Sequence, residues 1–207
     1  MTAKSALILG GGKGSRMGYD KKTLEMRGVQ VLDTLVATLS ALFPEVLLSS
    51  NTPVSDSRVT TVPDILGAGP LAGIYAGLCA CSGDYLYVCA CDMPFINADF
   101  IRYVDGLIAA DTVNAAPKDI YIYRAPPVPG RKSAGYEPFN AFYHKNIASS
   151  AKTALEKGDY KLVPLIEHAS RRIIGAEEAA RFGGEKLFFN INRAEDLQYA
   201  EVLAASH

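Results

Sequence analysis

The short apolar run Ser5-Ala-Leu-Ile-Leu9 stops abruptly at Gly10-Gly-Gly-Lys-Gly-Ser-Arg-Met-Gly18, and no other junction constrains the fold of this chain so tightly. A run without polar alternation reads as a strand covered on both faces, the habit of parallel sheets sandwiched between helices. Five glycines among positions 10–18 let backbone N–H groups approach an anion with no Cβ in the way. Arg16 and Lys21 add fixed positive charge of the kind that clamps triphosphate oxygens. A glycine-rich turn with solvated basic residues is the bland reading, but glycines at this density directly after a buried strand favour phosphate binding. Two common phosphate motifs fail here. Lys13 is followed by Gly14 and position 16 is Arg, which breaks a P-loop, and Gly12-x-Gly14-x3-Gly18 has the wrong spacing for a dinucleotide fingerprint.

The rest of the chain continues to alternate strand with helix. Apolar positions 32, 35, 36, 39 and 42 predict a helix over Val31–Phe43, stopped by Pro44. Strands are expected at Glu45–Ser49, Arg58–Val62 and Tyr85–Cys91, with a helix of small apolar residues over Pro70–Cys81. Asn97 suits the N-cap of a helix reaching about Ala110. Prolines and glycines cluster between 117 and 137, predicting a long loop or lid with a small edge hairpin, its Arg124, Arg131 and Lys132 able to meet an anion. A strand at Phe139–Tyr143, helices near 146–157 and 160–169 and a strand at 171–174 follow. A short helix at 177–182, a strand at Leu187–Ile191 and a helix at Ala194–Ala204 complete the pattern. It describes one α/β domain over 1–207, a Rossmann-like, mostly parallel sheet with helices on both faces.

Composition narrows the function. Hydrophobic residues are 49% of the 207 and charged residues 21%, enough apolar material to bury a core and exclude disorder. With 21 Lys+Arg against 22 Asp+Glu the net charge is −1, so no broad basic surface awaits nucleic acid. No apolar run approaches the roughly 18 residues of a membrane helix, and the apolar run Ala6–Leu9 is too short for a signal peptide. A cytoplasmic protein without membrane or nucleic-acid partners is expected. Cys79, Cys81, Cys89 and Cys91 form two C-x-C pairs. Zinc sites usually space thiols as C-x2–4-C, and Cys89 and Cys91 lie in a predicted buried strand, so they read as small core residues, with a metal cluster as the alternative.

Four stretches in order carry a family resemblance. Leu9-Gly-Gly-Gly-Lys-Gly-Ser-Arg-Met-Gly-Tyr-Asp-Lys21 opens it and Val62-Pro-Asp-Ile-Leu-Gly-Ala-Gly-Pro-Leu-Ala-Gly-Ile74 follows. Cys89-Ala-Cys-Asp-Met-Pro-Phe95 and Asn190-Ile-Asn-Arg-Ala-Glu-Asp-Leu197 complete it. Together they resemble the signature of the molybdenum cofactor guanylyltransferases, within the nucleotidyltransferase superfamily. The resemblance implies a sheet of the nucleotide-diphospho-sugar transferase type. It also implies a Mg2+-dependent enzyme that transfers GMP from GTP to the phosphate of molybdenum-bound molybdopterin, giving the guanine dinucleotide and diphosphate. The implied partners are GTP, the molybdopterin-type cofactor, and proteins that make that cofactor or receive the product. Carried over by position, Leu9, Gly10 and Gly11 lie along the nucleotide, Lys21 contacts its phosphates and Asp64 belongs to the guanosine pocket. Asp92 binds Mg2+, and Asn190 and Asn192 face the pterin. Gly10 stands where the family usually has Ala, Ser49 where some members have Asn, and the proline-rich loop is longer than the family norm. Asp20 before Lys21 favours the guanylyl branch, because many sugar- and alcohol-phosphate relatives carry Pro there.

Elementary chemistry supports the same residues. Ligands of open α/β sheets bind beyond the carboxyl ends of strands, and Gly10–Lys21, Ser49–Asn51, Asp64 and Asp92 all follow predicted strands. A carboxylate there suits Mg2+, a hard cation that prefers oxygen ligands and substrate phosphates. Arg16, Lys21 and Asp92 are therefore the expected catalytic groups. Gly12 and its neighbours leave room for a purine, while Ser49, Ser50 and Asn51 can accept from guanine N–H groups. Each has a plainer reading: Asp92 as a helix cap, Asp64 as a turn former, Asn190 and Asn192 as turn and cap residues. His144, His168 and His207 stand outside the motifs and read as structural or exposed. Two rival functions stay open, a cytidylyltransferase on the same or another phosphorylated acceptor and a non-catalytic nucleotide- or cofactor-binding protein.

Overall fold

Strands apolar at every position need cover on both faces, and the arrangement of this chain follows from providing it. The computed structural model describes residues 3, 5–10, 21–67, 69–126 and 135–205. From the N-terminus come β1 (Ser5–Leu9), a 3-10 turn at Lys21–Thr23, the hairpin β2 (Glu25–Met26) and β3 (Val29–Gln30), and α1 (Val31–Ser40). Then follow β4 (Glu45–Ser49), β5 (Thr60–Val62), α2 (Pro70–Ala80), β6 (Tyr85–Ala90), α3 (Ala98–Val113) and β7 (Ile120–Arg124). The chain closes with β8 (Tyr136–His144), α4 (Ala148–Glu156), α5 (Leu162–His168), β9 (Arg171–Ile174), α6 (Ala176–Ala180) and α7 (Ala194–Ala205).

Seven of these strands form one sheet in the order β5-β4-β1-β6-β8-β7-β9. β1 runs parallel to β4 and β6, β4 to β5, and β7 to β9, whereas β8 is antiparallel to both of its neighbours. Alternate residues feed two cores. Ala6, Ile8, Tyr87 and Cys89 pack with α1 and α3 on one face, and Leu7, Leu9, Leu86 and Val88 pack with α2, α4 and α5 on the other. The expected mostly parallel sheet with helices on both faces is the observed one. Among the described residues no helix is long and apolar enough to cross a membrane.

Local chemistry sets the boundaries. The Asn97 side chain caps α3 as anticipated, accepting from the backbone N–H groups of Asp99 and Phe100. α2 lies close against the sheet because two of its inward positions lack side chains. A Cβ at Gly77 would stand 2.6 Å from Leu7 Cδ2, and one at Gly73 2.7 Å from both Leu9 Cδ2 and Ser49 Oγ. Cys89 and Cys91 are buried, as the core reading has it, and burial pushes the Cys89 thiol well up. Cys79, by contrast, is exposed at the end of α2 and Cys81 half-buried.

Three expectations need correction. Ile120–Arg124, read as part of the loop at 117–137, is β7, and it lies inside the sheet between β8 and β9. Its Ile-Tyr-Ile-Tyr run is buried on both faces, and β-branched and aromatic residues favour such a strand despite Pro117 nearby. Of the remaining loop, 127–134 lies outside the described residues, so Arg131 and Lys132 do too, while Arg124 stands over the Tyr136 ring. Leu187–Ile191 is not a strand: Gly184–Phe188 is a 3-10 turn and the chain then runs extended. Its apolar side chains are used in packing instead, Phe188 stacking on Tyr123 with ring centroids 4.1 Å apart. The strand foreseen from Arg58 starts only at Thr60, because Arg58 folds back onto Asp56 through backbone and guanidinium. The short β2–β3 hairpin had no counterpart in the sequence reading.

Candidate active site

From β1 the chain builds outward to β4 and β5, then returns through α2 to place β6 on the other side of β1. The sheet therefore changes winding direction between β1 and β6, where open α/β sheets leave a crevice at the carboxyl ends. A cavity of about 350 Å³ opens there. Leu9, Ser49 and Asp64 line its β1–β4–β5 side, Lys21 and Asp92 its middle, and Asn190 and Asn192 the side nearer β8. Residues far apart in sequence are thus gathered around one space.

The middle is electrostatic. Lys21 donates to Asp92 Oδ2 at 2.5 Å and to Asn192 Oδ1 at 3.0 Å. Its side chain keeps 26% exposure whereas that of Asp92 keeps 6%, so the ammonium sits at the mouth and the carboxylate on the floor. Asp92 follows β6, and its backbone carbonyl accepts from Ile191 N–H at 2.9 Å, tying the C-terminal segment to the strand end. Its other carboxylate oxygen, Oδ1, is buried with no hydrogen-bond partner. An unpartnered anionic oxygen at that depth is costly unless something cationic meets it. A hard oxygen donor on a carboxylate that lines the cavity fits Mg2+, which completes its shell with phosphate oxygens and water. Among the described residues no group of three or more His, Cys, Asp or Glu side chains could hold a metal ion unaided. A cation here would accordingly arrive with substrate oxygens.

On the β4–β5 side Ser49 donates to Asp64 Oδ1 at 2.8 Å. Asn51 does not line the cavity. It stands behind, its Oδ1 accepting from Asp64 backbone N–H at 3.2 Å, so Ser49 holds the carboxylate of Asp64 and Asn51 its backbone. Gly10 N–H donates to the Ser49 carbonyl at 3.0 Å, and a Cβ at Gly10 would come within 2.9 Å of Leu48 Cδ1. Lys22, next to Lys21, turns away to Ser50 Oγ and Thr52 Oγ1. At the far side Asp196 Oδ2 accepts from the N–H groups of Asn192 and Arg193, which holds Asn192 at the start of α7. Gly11, Gly12, Arg16 and Asp20 lie outside the described residues.

Five lining residues were not foreseen as site residues: Gly69, Pro70, Ala90, Cys91 and Phe139. Gly69 and Pro70 begin α2, Gly69 with φ of 101°, and Phe139 enters from β8. The glycines before Pro70 were read only as part of a motif. For Phe139 the available signal was Pro138 directly before it, since proline inside a strand pattern marks an edge or a bulge. His144 is structural, edge-on to Tyr85 and accepting from Asn146 N–H. His168 bonds the Pro164 carbonyl within α5, and His207 lies outside the described residues.

The MobA-like NTP transferase domain family matches residues 6–173. Over 203 residues, 96% of this chain and 89% of the relative, the sequence is 34% identical to a probable molybdenum cofactor guanylyltransferase of Peptoclostridium acidaminophilum. Over 198 residues, 94% of this chain and 89% of the relative, it is 33% identical to the molybdenum cofactor guanylyltransferase of Syntrophotalea carbinolica. Among solved structures, molybdopterin-guanine dinucleotide biosynthesis protein A of Archaeoglobus fulgidus superposes with a TM-score of 0.80 at 22% identity, covering 98% of this chain and all of that one (100%). The 2-C-methyl-D-erythritol 4-phosphate cytidylyltransferase of Thermus thermophilus gives 0.67 at 17% identity, covering 99% and 100%. At those identities the two structures speak for the fold alone, the nucleotide-diphospho-sugar transferase type.

Proposed function

This chain belongs to the MobA-like NTP transferase family, and from that premise we propose that it transfers GMP from GTP to the phosphate of molybdenum-bound molybdopterin, with Mg2+. Two relatives named molybdenum cofactor guanylyltransferases, each at least 33% identical over nearly the whole chain, support the reaction. The observation that carries the assignment of residues is the Lys21–Asp92–Asn192 cluster at the switch-point cavity, with Asp92 Oδ1 unpartnered.

The reaction forms one P–O bond and breaks another. An oxygen of the acceptor phosphate attacks the α-phosphorus of GTP, and the bond from that phosphorus to the β-bridging oxygen breaks, releasing diphosphate. The acceptor phosphate is already anionic at neutral pH, so no general base is required. That agrees with a cavity in which, among the described residues, no histidine takes part. The work left to the protein is placement and charge neutralisation. Lys21, half in solvent and held by Asp92 and Asn192, exchanges those partners for phosphate oxygens when a triphosphate enters. Asp92, with its Oδ1 unpartnered, would hold Mg2+, which would supply Lewis-acid neutralisation of the phosphates when bound. Ser49 and Asn51 fix Asp64 so that its carboxylate accepts from the nucleoside. Asn190 and Asn192 bind the acceptor across from it. Partners that deliver the pterin or take the product complete the proposal.

Incubation with molybdopterin and GTP labelled at the α-phosphate tests the reading. Label should pass into a dinucleotide, diphosphate should appear in equal amount, and EDTA should stop both. Binding of GTP without any transfer would point to a non-catalytic nucleotide-binding protein.

A further inference from the structure

Phe139 is the one aromatic side chain lining the cavity among the described residues, and the backbone that presents it is unusual. β8 pairs with β6 only as far as Val88↔Ala141, two residues short of the end of β6. Against β7 its register jumps: Tyr121 faces Phe142, but Tyr123 faces Glu137, so three extra residues of β8 are accommodated between two steps of β7. Inside that bulge Asn140 has φ of 59°, the left-handed region that a non-glycine residue rarely enters. Asn140 is buried, and both ends of its amide are bonded: its Oδ1 accepts from Tyr87 O–H at 2.8 Å and its Nδ2 donates to the Leu187 carbonyl at 3.1 Å. Such strain persists only where surrounding contacts over-determine it, and bulges beside active sites re-aim a side chain. Here the side chain next to the strained residue is Phe139. It lies on β8, across β6 from the Ser49–Asp64 side and on the same side as Asn190 and Asn192.

We infer that Phe139 is a specificity-determining residue of the acceptor half of the site, a wall on which the flat pyrimidinone ring of the acceptor's pterin stacks, and that Asn140 is the positioning residue that aims it. Flat heteroaromatic rings gain by offset stacking or edge contact with a phenyl ring, and the half-buried Phe139 leaves surface free for that contact. A saturated phosphorylated acceptor has no ring to offer and gains nothing from it. The inference rests on the guanylyl-transfer reading, since it takes the acceptor to be a pterin.

Steady-state transfer with GTP and molybdopterin varied separately tests it, on wild type and on the Phe139→Ala, Phe139→Leu and Phe139→Tyr variants. Phe139→Ala should raise KM for molybdopterin about 10-fold, the scale of a lost stacking contact, and leave KM for GTP within about twofold. Phe139→Leu should behave like Phe139→Ala, and Phe139→Tyr should restore the wild-type value, which a role in packing alone does not demand of a ring. Asn140→Gly, which keeps the backbone free to adopt its φ but removes the amide, should raise KM for molybdopterin in the same direction. Full rescue by Phe139→Leu, an unchanged KM for molybdopterin, or an equal rise for GTP would each overturn the inference while leaving the reaction intact. Absence of transfer by the wild-type protein would overturn the reaction and the stacking wall together.

Discussion

At Asp92 one carboxylate oxygen accepts from Lys21 while the other is buried with no hydrogen-bond partner, so the same side chain that anchors the lysine is the one proposed to take a cation. Asp92→Asn keeps an acceptor for Lys21 and the shape of the floor but removes the charge that Mg2+ needs. Transfer should fall on the order of 100- to 1000-fold, with the melting temperature changed by no more than a few degrees; turnover near the wild-type rate would remove Asp92 from the metal site. Ser49 raises a subtler point. Its position was legible because it ends a plain strand, Glu45–Ser49, but its role was not: it reads as a base contact, and in the structure its hydroxyl is spent on Asp64. Hydrogen-bond partners across 15 residues of chain leave no periodic trace. Ser49→Ala should loosen Asp64 and raise KM for GTP by about 2- to 10-fold, the worth of one hydrogen bond, with KM for the pterin unmoved. A matched rise in both would mean the hydroxyl supports the whole floor.

The elements that frame the cavity were largely readable, and for physical reasons. β1, β4, β6 and α3 carry unbroken apolar runs or a capping asparagine, signals that act locally and survive any tertiary context. β7 was masked by the prolines around it, and the 187–191 segment imitates a strand because its aromatic residues pack in the core without joining a ladder. The β8 bulge, which brings Phe139 into the cavity, depends on buried bonds to Tyr87 and Leu187 that spacing cannot show. α2 offers a clean test of how closely an element must approach. Gly77→Ala places a methyl against Leu7 and Leu86; overpacking costs about 1–3 kcal/mol, of which better helix propensity returns about 1 kcal/mol. Its melting temperature should drop a few degrees with kinetics preserved. Gly73→Ala presses instead on Leu9 and Ser49, both at the cavity. It should lower stability comparably and weaken GTP binding as well. Equal kinetic damage from the two variants would show that α2 transmits strain along its length and does not act through its first turn alone.

For the molecule as a whole, the winding reversal between β1 and β6 divides labour across the sheet on the proposed reading: the β4–β5 side would meet the nucleoside and the β8 side the acceptor, with the lysine–aspartate pair on the seam. Such a division leaves base choice to a few hydrogen-bonding groups around Asp64. Guanine offers N1–H and N2–H donors that a carboxylate can accept, and a site built around acceptors leaves its groups unpaired by a base lacking those donors, at about 1–3 kcal/mol for each unsatisfied group. The most direct measurement is a competition. The protein is given molybdopterin, Mg2+ and equimolar GTP, CTP, ATP and UTP, and the dinucleotide products are weighed by mass spectrometry. The guanine dinucleotide should dominate by at least about tenfold, the consequence of one such unsatisfied group; a cytosine dinucleotide in equal or greater amount would contradict the assignment of guanylyl transfer.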